Sequence, residues 1–434
     1  MIESLIFIVL LAAGIYWFSK NIRTLIRNIK LGRDVVINDQ PGLRWKTMAM
    51  VAIGQSKMMV RPVAGFFHIL IYVGFVIINI EVLEIILDGI FGTHRMLAFM
   101  GAFYNFLIGS FEILALGVLL ACVLFFCRRN FLKIKRFWSA EMSSWPRSDA
   151  NIILISEIAL MTAFLTMNAC DMLLQQQNYS HYIKAGSFPV SSLIAPIFAS
   201  LQPTTLVVIE RFCWWFHIIG ILAFLNYVPY SKHMHIFLAF PNVYFSKLLP
   251  KGTLNNVTAV TQEVKLMLDP TLPPPAVDAN AAPMRFGAKD VTDLTWKQLL
   301  DAYSCTECGR CTSVCPANIT GKKLSPRKIM MDTRDRITEV GINLDKQGAN
   351  YDDGKSLLGN YITETELWAC TTCNACTDAC PVNIDPVSII LDLRRFVVME
   401  QSAAPAELNG MFTKIENNQA PWQFSPADRL NWKD

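Results

Sequence analysis

Charged residues are scarce in this sequence: Asp, Glu, Lys and Arg make up only 17% of its 434 residues. Together with a mean hydropathy of +0.33, this scarcity is typical of a membrane protein and argues against an ordinary soluble enzyme. The net charge of +4 says little by itself, and no nucleic-acid partner is expected.

Long apolar runs are absent from the part of the sequence after about residue 245. Before that point the sequence predicts five membrane spans, at residues 5–18, 63–80, 102–126, 152–174 and 204–228. The amino terminus lacks a basic leader and a convincing cleavage site, so we expect the first span to be a retained anchor. The expected division is an all-α membrane domain (1–245), a linker (246–290), a soluble ferredoxin domain (291–400) and a partner-docking tail (401–434).

Basic residues are rare in the loops after the second and fourth spans, which offer only Arg95 and Lys184. The segments after the first and third spans are rich in them, for example Arg23, Arg128 and Arg136. By the positive-inside rule, the amino terminus is periplasmic and the soluble domain faces the cytoplasm of a bacterial inner membrane. A reducing cytoplasm agrees with free thiolates in that domain.

Eight of the twelve cysteines fall into two runs of the same spacing, C-x-x-C-x-x-C-x-x-x-C-P. Three thiolates on one tight turn can hold three irons of a 4Fe-4S cubane, and in two-cluster ferredoxins the fourth ligates the other cluster. The sequence therefore predicts two clusters. The first is expected on Cys305, Cys308, Cys311 and Cys380, and the second on Cys370, Cys373, Cys376 and Cys315.

Two alternatives to redox-active clusters stay open. Zinc is one, although zinc ribbons use two C-x-x-C knuckles and do not need the prolines that follow each run here. In the other alternative, the 4Fe-4S clusters are present but have only a structural role. The remaining cysteines, Cys122, Cys127, Cys170 and Cys213, lie in apolar runs and are expected to be buried.

The soluble domain is predicted to be helical, unlike small β-rich ferredoxins, with helices at residues 291–303, 326–337, 362–368 and 387–399. The proline-rich stretch 269–277 is predicted to be an extended linker. The polar tail is predicted to be disordered, or ordered only on a partner.

Only six histidines are present, and three of them are placed where a haem could bind. His68 lies near the start of the second span, and His217 lies in the fifth. His235 follows eighteen residues later, on the same face as His217 if the helix continues through Pro229. Since histidine is a common axial haem ligand, we predict one haem b held by His68 and His235. A second haem on His217 would need a partner near Ile78, where no histidine stands.

The histidines also have plainer interpretations. His68 could be a hydrogen-bonded interior residue, and His233, predicted to point to another face, could form a headgroup-level pair with His235. His217 could be an alternative ligand, a donor to a quinone or a packing residue. His94 and His181 are expected to face solvent.

Charges inside spans are costly and therefore informative. They are Glu112, Glu157, Asp171, Glu210 and Arg211. The last two are interpreted as a structural pair, with proton exchange near a quinone as the alternative. The aromatic run at residues 214–216 is expected to face the bilayer.

The five-span layout resembles the haem-bearing gamma subunit of respiratory nitrate reductase. The matching residues are His68, His217, His235 and the stretch 228–235. That family holds two haems with four histidines, and Ile78 occupies the fourth position here. The resemblance implies a haem b membrane domain.

The cysteine runs, with residues 320–326, 367–373 and 393–395, resemble the iron–sulfur subunits of heterodisulfide reductase and related quinone-linked oxidoreductases. Many such relatives carry a further domain with CCG motifs, which this sequence does not contain. The resemblance therefore implies a separate CCG-domain partner.

Taken together, these patterns predict a membrane-anchored electron-transfer subunit of a quinone-linked respiratory oxidoreductase. Electrons would pass between the CCG-domain partner, two 4Fe-4S clusters, haem b and menaquinone or ubiquinone in the lipid bilayer. Catalysis on a soluble substrate is expected in the partner, and the direction of flow is open. A membrane redox sensor or scaffold with structural clusters, or a zinc-stabilised adaptor, is the alternative.

Overall fold

The fold is described from a computed structural model, for residues 2–273, 285–349 and 351–433. Five of its helices are long and apolar enough to cross a membrane, as the sequence predicts. The helices of this first part are α1 (Ile2–Ile29), α2 (Pro41–Met48), α3 (Pro62–Phe91), α4 (Ala102–Asn130), α5 (Trp145–Gln176), α6 (Ser191–Ile194), α7 (Pro203–Tyr227) and α8 (His235–Tyr244).

The long helices form a closed ring in which α1 contacts α3, α3 contacts α4, α4 contacts α5, α5 contacts α7, and α7 contacts α1. Buried apolar side chains such as Phe7, Ile108 and Phe164 fill its interior. Trp214 belongs to this core and is 7% exposed, so the expectation that it faces the bilayer was wrong. The helix turns it inward, whereas Phe216, two residues on, is 43% exposed.

The first and fifth spans differ from expectation. Helix α1 has 28 residues rather than a short apolar stretch, because its lysines and arginines after residue 18 are good helix formers. The fifth helix is broken: α7 ends at Tyr227, two short 3-10 turns follow, and α8 begins at His235. Pro229 lies in this break and lacks the amide that a continuous helix needs. His217 and His235 therefore do not share one helix face.

The second part is also helical, and its described residues contain isolated β-bridges but no strand. Its helices are α9 (Thr258–Leu268), α10 (Trp296–Tyr303), α11 (Arg310–Val314), α12 (Pro316–Ile319), α13 (Pro326–Gln347), α14 (Glu364–Ala369), α15 (Ala375–Ala379), α16 (Pro386–Met399) and α17 (Ala406–Asn418). A buried core that includes Leu299, Ile329, Leu367 and Leu393 joins α10, α13, α14 and α16.

Three predictions for this part need correction. The helix expected from residue 291 begins at Trp296, because Thr295 caps it and accepts a hydrogen bond from the Gln298 amide. The expected linker contains helix α9, and its residues 274–284 lie outside the described residues. The tail contains helix α17 and a 3-10 turn within this chain, although it was expected to lack structure without a partner.

The second part sits on one end of the helix ring, here called the ferredoxin end; the opposite end is the distal end. The backbone of Arg33, just after α1, exchanges two hydrogen bonds with the segment before α10: its amide donates to Leu294 at 2.7 Å, and its carbonyl accepts from Trp296 at 3.0 Å. Gly32 fits this contact because a Cβ there would lie 2.8 Å from the Thr295 carbonyl carbon.

A substitution at Gly32 tests this junction. We expect Gly32→Ala to lower the stability of the junction by about 1–3 kcal/mol, because the added methyl meets backbone that cannot move aside. Gly42→Ala is the matched control, since a Cβ there meets nothing within 4 Å. The measurement is the thermal midpoint of each purified protein in detergent. Equal midpoints for the two variants would contradict the close packing.

Candidate redox site

The two cysteine runs fold into loops with the same backbone conformation. The residue before the second cysteine has a positive φ in both, 54° at Glu307 and 54° at Thr372. The residue after that cysteine is again left-handed, with φ of 71° at Gly309 and 59° at Asn374. Each loop then enters a one-turn helix, α11 or α15, and these two helices contact each other. The fourth cysteine of each run therefore lies beside the other run.

One cavity is lined by Cys305, Cys308 and Cys311 of the first run and by Cys380 of the second. Cys376 lines it as well, since the two loops adjoin. In the other group, the thiols of Cys315 and Cys370 are near enough to interact electrostatically. The structure thus brings together the first predicted set of four, and it places Cys315 beside the second.

The donor groups fit iron–sulfur clusters in their chemistry. Burial raises the pKa of Cys305 to about 11 and that of Cys380 to about 12, so metal binding has to displace protons from these thiols. Among the residues that the structure describes, no three thiol, imidazole or carboxylate groups converge on a position for a single metal ion. The thiolates of a cubane stand further apart, because each binds a different iron.

The first cysteine loop faces the ferredoxin end of the membrane domain. Arg310, between Cys308 and Cys311, donates to the Lys57 carbonyl at 2.8 Å, just before α3. The Lys57 ammonium donates to the Cys380 carbonyl at 3.2 Å. In contrast, Cys373 of the second loop is exposed. The first loop therefore faces the membrane domain, and the second loop reaches the protein surface.

A buried ion group lies beneath the first loop. Glu307, which is 3% exposed, pairs with Lys232 from the segment after α7 and with Arg334 of α13, the latter at 2.8 Å. Burial opposes ionisation of Glu307, but Arg334 and Lys232 outweigh it and lower the pKa of the carboxyl. The group ties the cysteine loop to the break in the fifth helix.

The break brings His235 opposite His68, with 6.4 Å between ring centroids. Two imidazoles on opposite sides of one iron, at metal–nitrogen distances of about 2.0 Å, place their ring centres roughly 6 Å apart. The Nδ1 of His68 is buried without a hydrogen-bond partner in the described part of the chain. The Nδ1 of His235 lies 3.0 Å from the Lys232 carbonyl, which leaves Nε2 as the free ligand atom. The pair fits an axial haem set.

The other two histidines near the fifth helix have different surroundings. His233, predicted to point elsewhere, lies 5.6 Å from the His235 ring and 5.3 Å from the Phe224 ring. Burial lowers the pKa of His233 to about 3, so its imidazole is neutral at pH 7. The Nδ1 of His217 lies 3.1 Å from the Leu160 carbonyl, and no second histidine faces it in the described residues. Its three interpretations stay open.

Sequence reasoning missed a polar network at the distal end. Arg95 pairs with Asp171 at 2.6 Å and donates to Asn168 at 3.0 Å. His94, expected to face solvent, is 3.1 Å from Asp171 with its side chain 8% exposed. Glu81, in the same region, is 4% exposed. The available signal was the occurrence of single acidic residues within apolar runs. The same signal had drawn attention to Asp171 in the sequence.

The Glu210–Arg211 pair has the form expected of a structural pair. The Arg211 Nε donates to the Glu210 carboxylate at 2.6 Å, and the Tyr182 hydroxyl donates to the same carboxylate at 2.8 Å. Both oxygens of Glu210 are therefore bonded to groups of the chain itself.

Comparison with known proteins bears on the cysteine loops. Residues 304–384 match the family described as the 4Fe-4S dicluster domain. The chain carries a two-cluster ferredoxin domain. This assignment agrees with the cofactor predicted from the cysteine spacing. No solved structure matches the chain.

Three relatives set the wider context. The chain is 29% identical to the probable iron-sulfur-binding oxidoreductase FadF of Bacillus subtilis over 100% of its own length and 61% of the relative. It is 27% identical to the EtfAB:quinone oxidoreductase of Syntrophomonas wolfei over 92% of its length and 55% of the relative. It is 31% identical to one subunit of the dihydromethanophenazine:CoB–CoM heterodisulfide reductase of Methanosarcina mazei, over 33% of its length and 35% of the relative. The chain thus spans little more than half of the first two relatives, and its likeness to iron–sulfur oxidoreductases and heterodisulfide reductase subunits is confirmed.

Double serine variants test the crossed sharing of cysteines. If Cys380 serves the first cluster, Cys305→Ser with Cys380→Ser should remove one cluster and leave about four irons per chain. Cys305→Ser with Cys315→Ser should then damage both clusters and leave almost none. Iron analysis of the purified proteins measures the difference. The reverse order of iron contents would mean that each run holds its own cluster.

Neutralising Glu307 tests the buried ion group. We expect Glu307→Gln to lower stability at pH 7 by about 3–5 kcal/mol, because Lys232 and Arg334 lose their shared carboxylate. Since the pKa of Glu307 is lowered on folding, its contribution is complete above its ordinary value of about 4.3 and disappears as pH falls through the folded value.

Unfolding curves at several pH values, followed by cluster absorbance, supply the measurement. Asp345→Asn is the control, because Asp345 is 54% exposed and its partner Arg27 is 32% exposed, so that pair is at the surface. A loss no larger in Glu307→Gln than in the control would show that the buried group does not stabilise the junction.

Proposed function

We propose that this chain is the membrane-anchored electron-transfer subunit of a quinone-linked respiratory oxidoreductase. Electrons pass between a soluble partner, two 4Fe-4S clusters, one haem b and a membrane quinone. The observation that carries the proposal is the pair His68 and His235, whose ring centroids lie 6.4 Å apart, with Arg310 of the first cysteine loop close enough to His68 for an electrostatic interaction. A haem there supplies a one-electron carrier between the clusters and the two-electron quinone.

The proposal assigns a role to each set of ligands. Cys305, Cys308, Cys311 and Cys380 hold the cluster nearest the membrane, and Cys370, Cys373, Cys376 and Cys315 hold the outer one. His68 and His235 bind the haem, and the neutral state of His235 suits it to this task, because burial lowers its pKa. Arg310 fixes the inner loop against the start of α3. The resemblance to the nitrate reductase gamma subunit supports the same haem position.

The exposed Cys373 marks the place where a soluble partner exchanges electrons with the outer cluster. Next to it, Arg394 lies 4.9 Å from the Trp368 ring and donates to the Cys370 carbonyl at 2.5 Å, which keeps this loop rigid. We propose an iron–sulfur partner of the CCG type, as the heterodisulfide reductase likeness implies. The name of the Syntrophomonas relative supports EtfAB as a donor and a quinone as the acceptor.

The proposed location is a bacterial inner membrane, with the ferredoxin end in the cytoplasm. Basic side chains before α3, in the last turn of α4 and in the loop after it lie at this end, including Lys57, Arg128 and Arg136. By the positive-inside rule, these basic residues support a cytoplasmic location of the ferredoxin end. The proposed domains keep the bounds 1–245, 246–290, 291–400 and 401–434, and helix α8 ends close to the first of these.

Quinol reduction of the purified protein tests the function. We expect menaquinol or ubiquinol to produce the absorption bands of a reduced b-type haem in the unaltered protein. His68→Ala and His235→Ala should each remove these bands, because one axial ligand is lost, and leave the iron content of the clusters unchanged. His181→Ala is the control, since this histidine is exposed. A protein with iron but neither haem nor a response to quinol would favour a redox sensor, and zinc without iron would favour an adaptor.

A further inference from the structure

Two arginines at the ferredoxin end have buried guanidinium nitrogens and no carboxylate partner among the described residues. Arg129 ends α4 and Arg136 lies in the loop that follows. Their guanidinium carbons lie 5.0 Å and 4.8 Å from the centroid of the same Phe137 ring. Arg129 is 8% exposed, and its Nε is a buried donor without a partner. The Nε and Nη1 of Arg136 are buried donors without a partner as well.

The carboxylates nearby are already engaged. Glu307 pairs with Lys232 and Arg334, and Glu141 pairs with Arg327 at 2.7 Å. Among the described residues, neither Arg129 nor Arg136 forms an ion pair. A buried guanidinium that lacks a counter-charge is costly, so the arrangement calls for an anion that is not part of these residues.

The position of the arginines narrows the choice of anion. The Nη2 of Arg129 and the Nζ of Lys232 donate to the same Pro146 carbonyl, at 3.3 Å and 2.6 Å. The Lys232 carbonyl is in turn the group that orients His235. Arg129 is therefore linked to the proposed axial ligand by three successive contacts, through Pro146 and Lys232. Neither arginine lines the cavity of the first cysteine loop.

We propose that Arg129 and Arg136 bind the propionate carboxylates of haem b. This inference rests on the haem of the proposed function. Guanidinium groups suit carboxylates, because their N–H groups form paired, charge-assisted hydrogen bonds. The two arginines then act as positioning residues that turn the acidic edge of the haem toward the ferredoxin domain.

Arginine variants of the full-length protein in nanodiscs provide the test. We expect Arg129→Met to lower the ratio of reduced to oxidised haem at a fixed potential about tenfold, equal to about 59 mV, because a cation next to the added electron is lost. Arg136→Met should act in the same direction, and Arg129→Lys should restore most of the ratio. Arg128→Met, one residue earlier on α4, is the matched control and should stay within twofold of the unaltered protein. Iron content checks that each variant is folded.

The pH dependence gives a second readout. In Arg129→Met the haem ratio should vary with pH at higher pH values than in the unaltered protein, because a propionate without its cation holds its proton more tightly. This change reflects carboxylate titration and would not follow from a packing defect.

Three results would overturn the proposal. One is an unchanged haem ratio in both Arg129→Met and Arg136→Met. Another is a change of the haem ratio in Arg128→Met as large as that in Arg129→Met. The third is a haem ratio that differs between nanodiscs with and without anionic lipid in the unaltered protein but not in Arg129→Met, which would assign the arginines to lipid phosphate. An unaltered protein that holds no haem would overturn the haem assignment together with this proposal, so the two failures are distinguishable.

Discussion

The buried carboxylate of Glu307 sits where the two parts of the chain meet, and the geometry of the redox site depends on its charge. It projects from the first cysteine loop and lies between Lys232 of the membrane domain and Arg334 of the ferredoxin domain. Because neither cation is well exposed, this carboxylate offsets much of the cost of burying them. The pairing therefore holds the inner cysteines at a set distance from the segment that carries His235.

The break in the fifth helix complements this ion group. A continuous helix would carry His235 along the axis of α7, away from the start of α3. The 3-10 turns around Pro229 redirect the chain, so that Lys232 reaches Glu307 while His235 faces His68. One local defect in a helix thus creates both the contact between domains and the paired imidazoles.

Predictions from the sequence succeeded where a short pattern determines the chemistry. The spacing of the cysteine runs requires tight turns, and the lengths of the apolar runs identify the spans, apart from their ends. The surroundings of His94 and His233 could not be predicted, because they depend on contacts between segments distant in sequence, such as Asp171 with His94. The sequence analysis missed helix α17 because the polar composition of the tail is typical of disordered segments. The helix nevertheless contains residues with good helix propensity.

The placement of Cys380 beside Cys305 has a consequence for biosynthesis. The two residues are 75 positions apart (380 − 305), so in the proposed ligand set the thiol that completes the inner group is synthesised well after the first. The five candidate spans end at Tyr230. Under the proposed ligand sets, the inner cluster can therefore be completed only after all five spans have been synthesised.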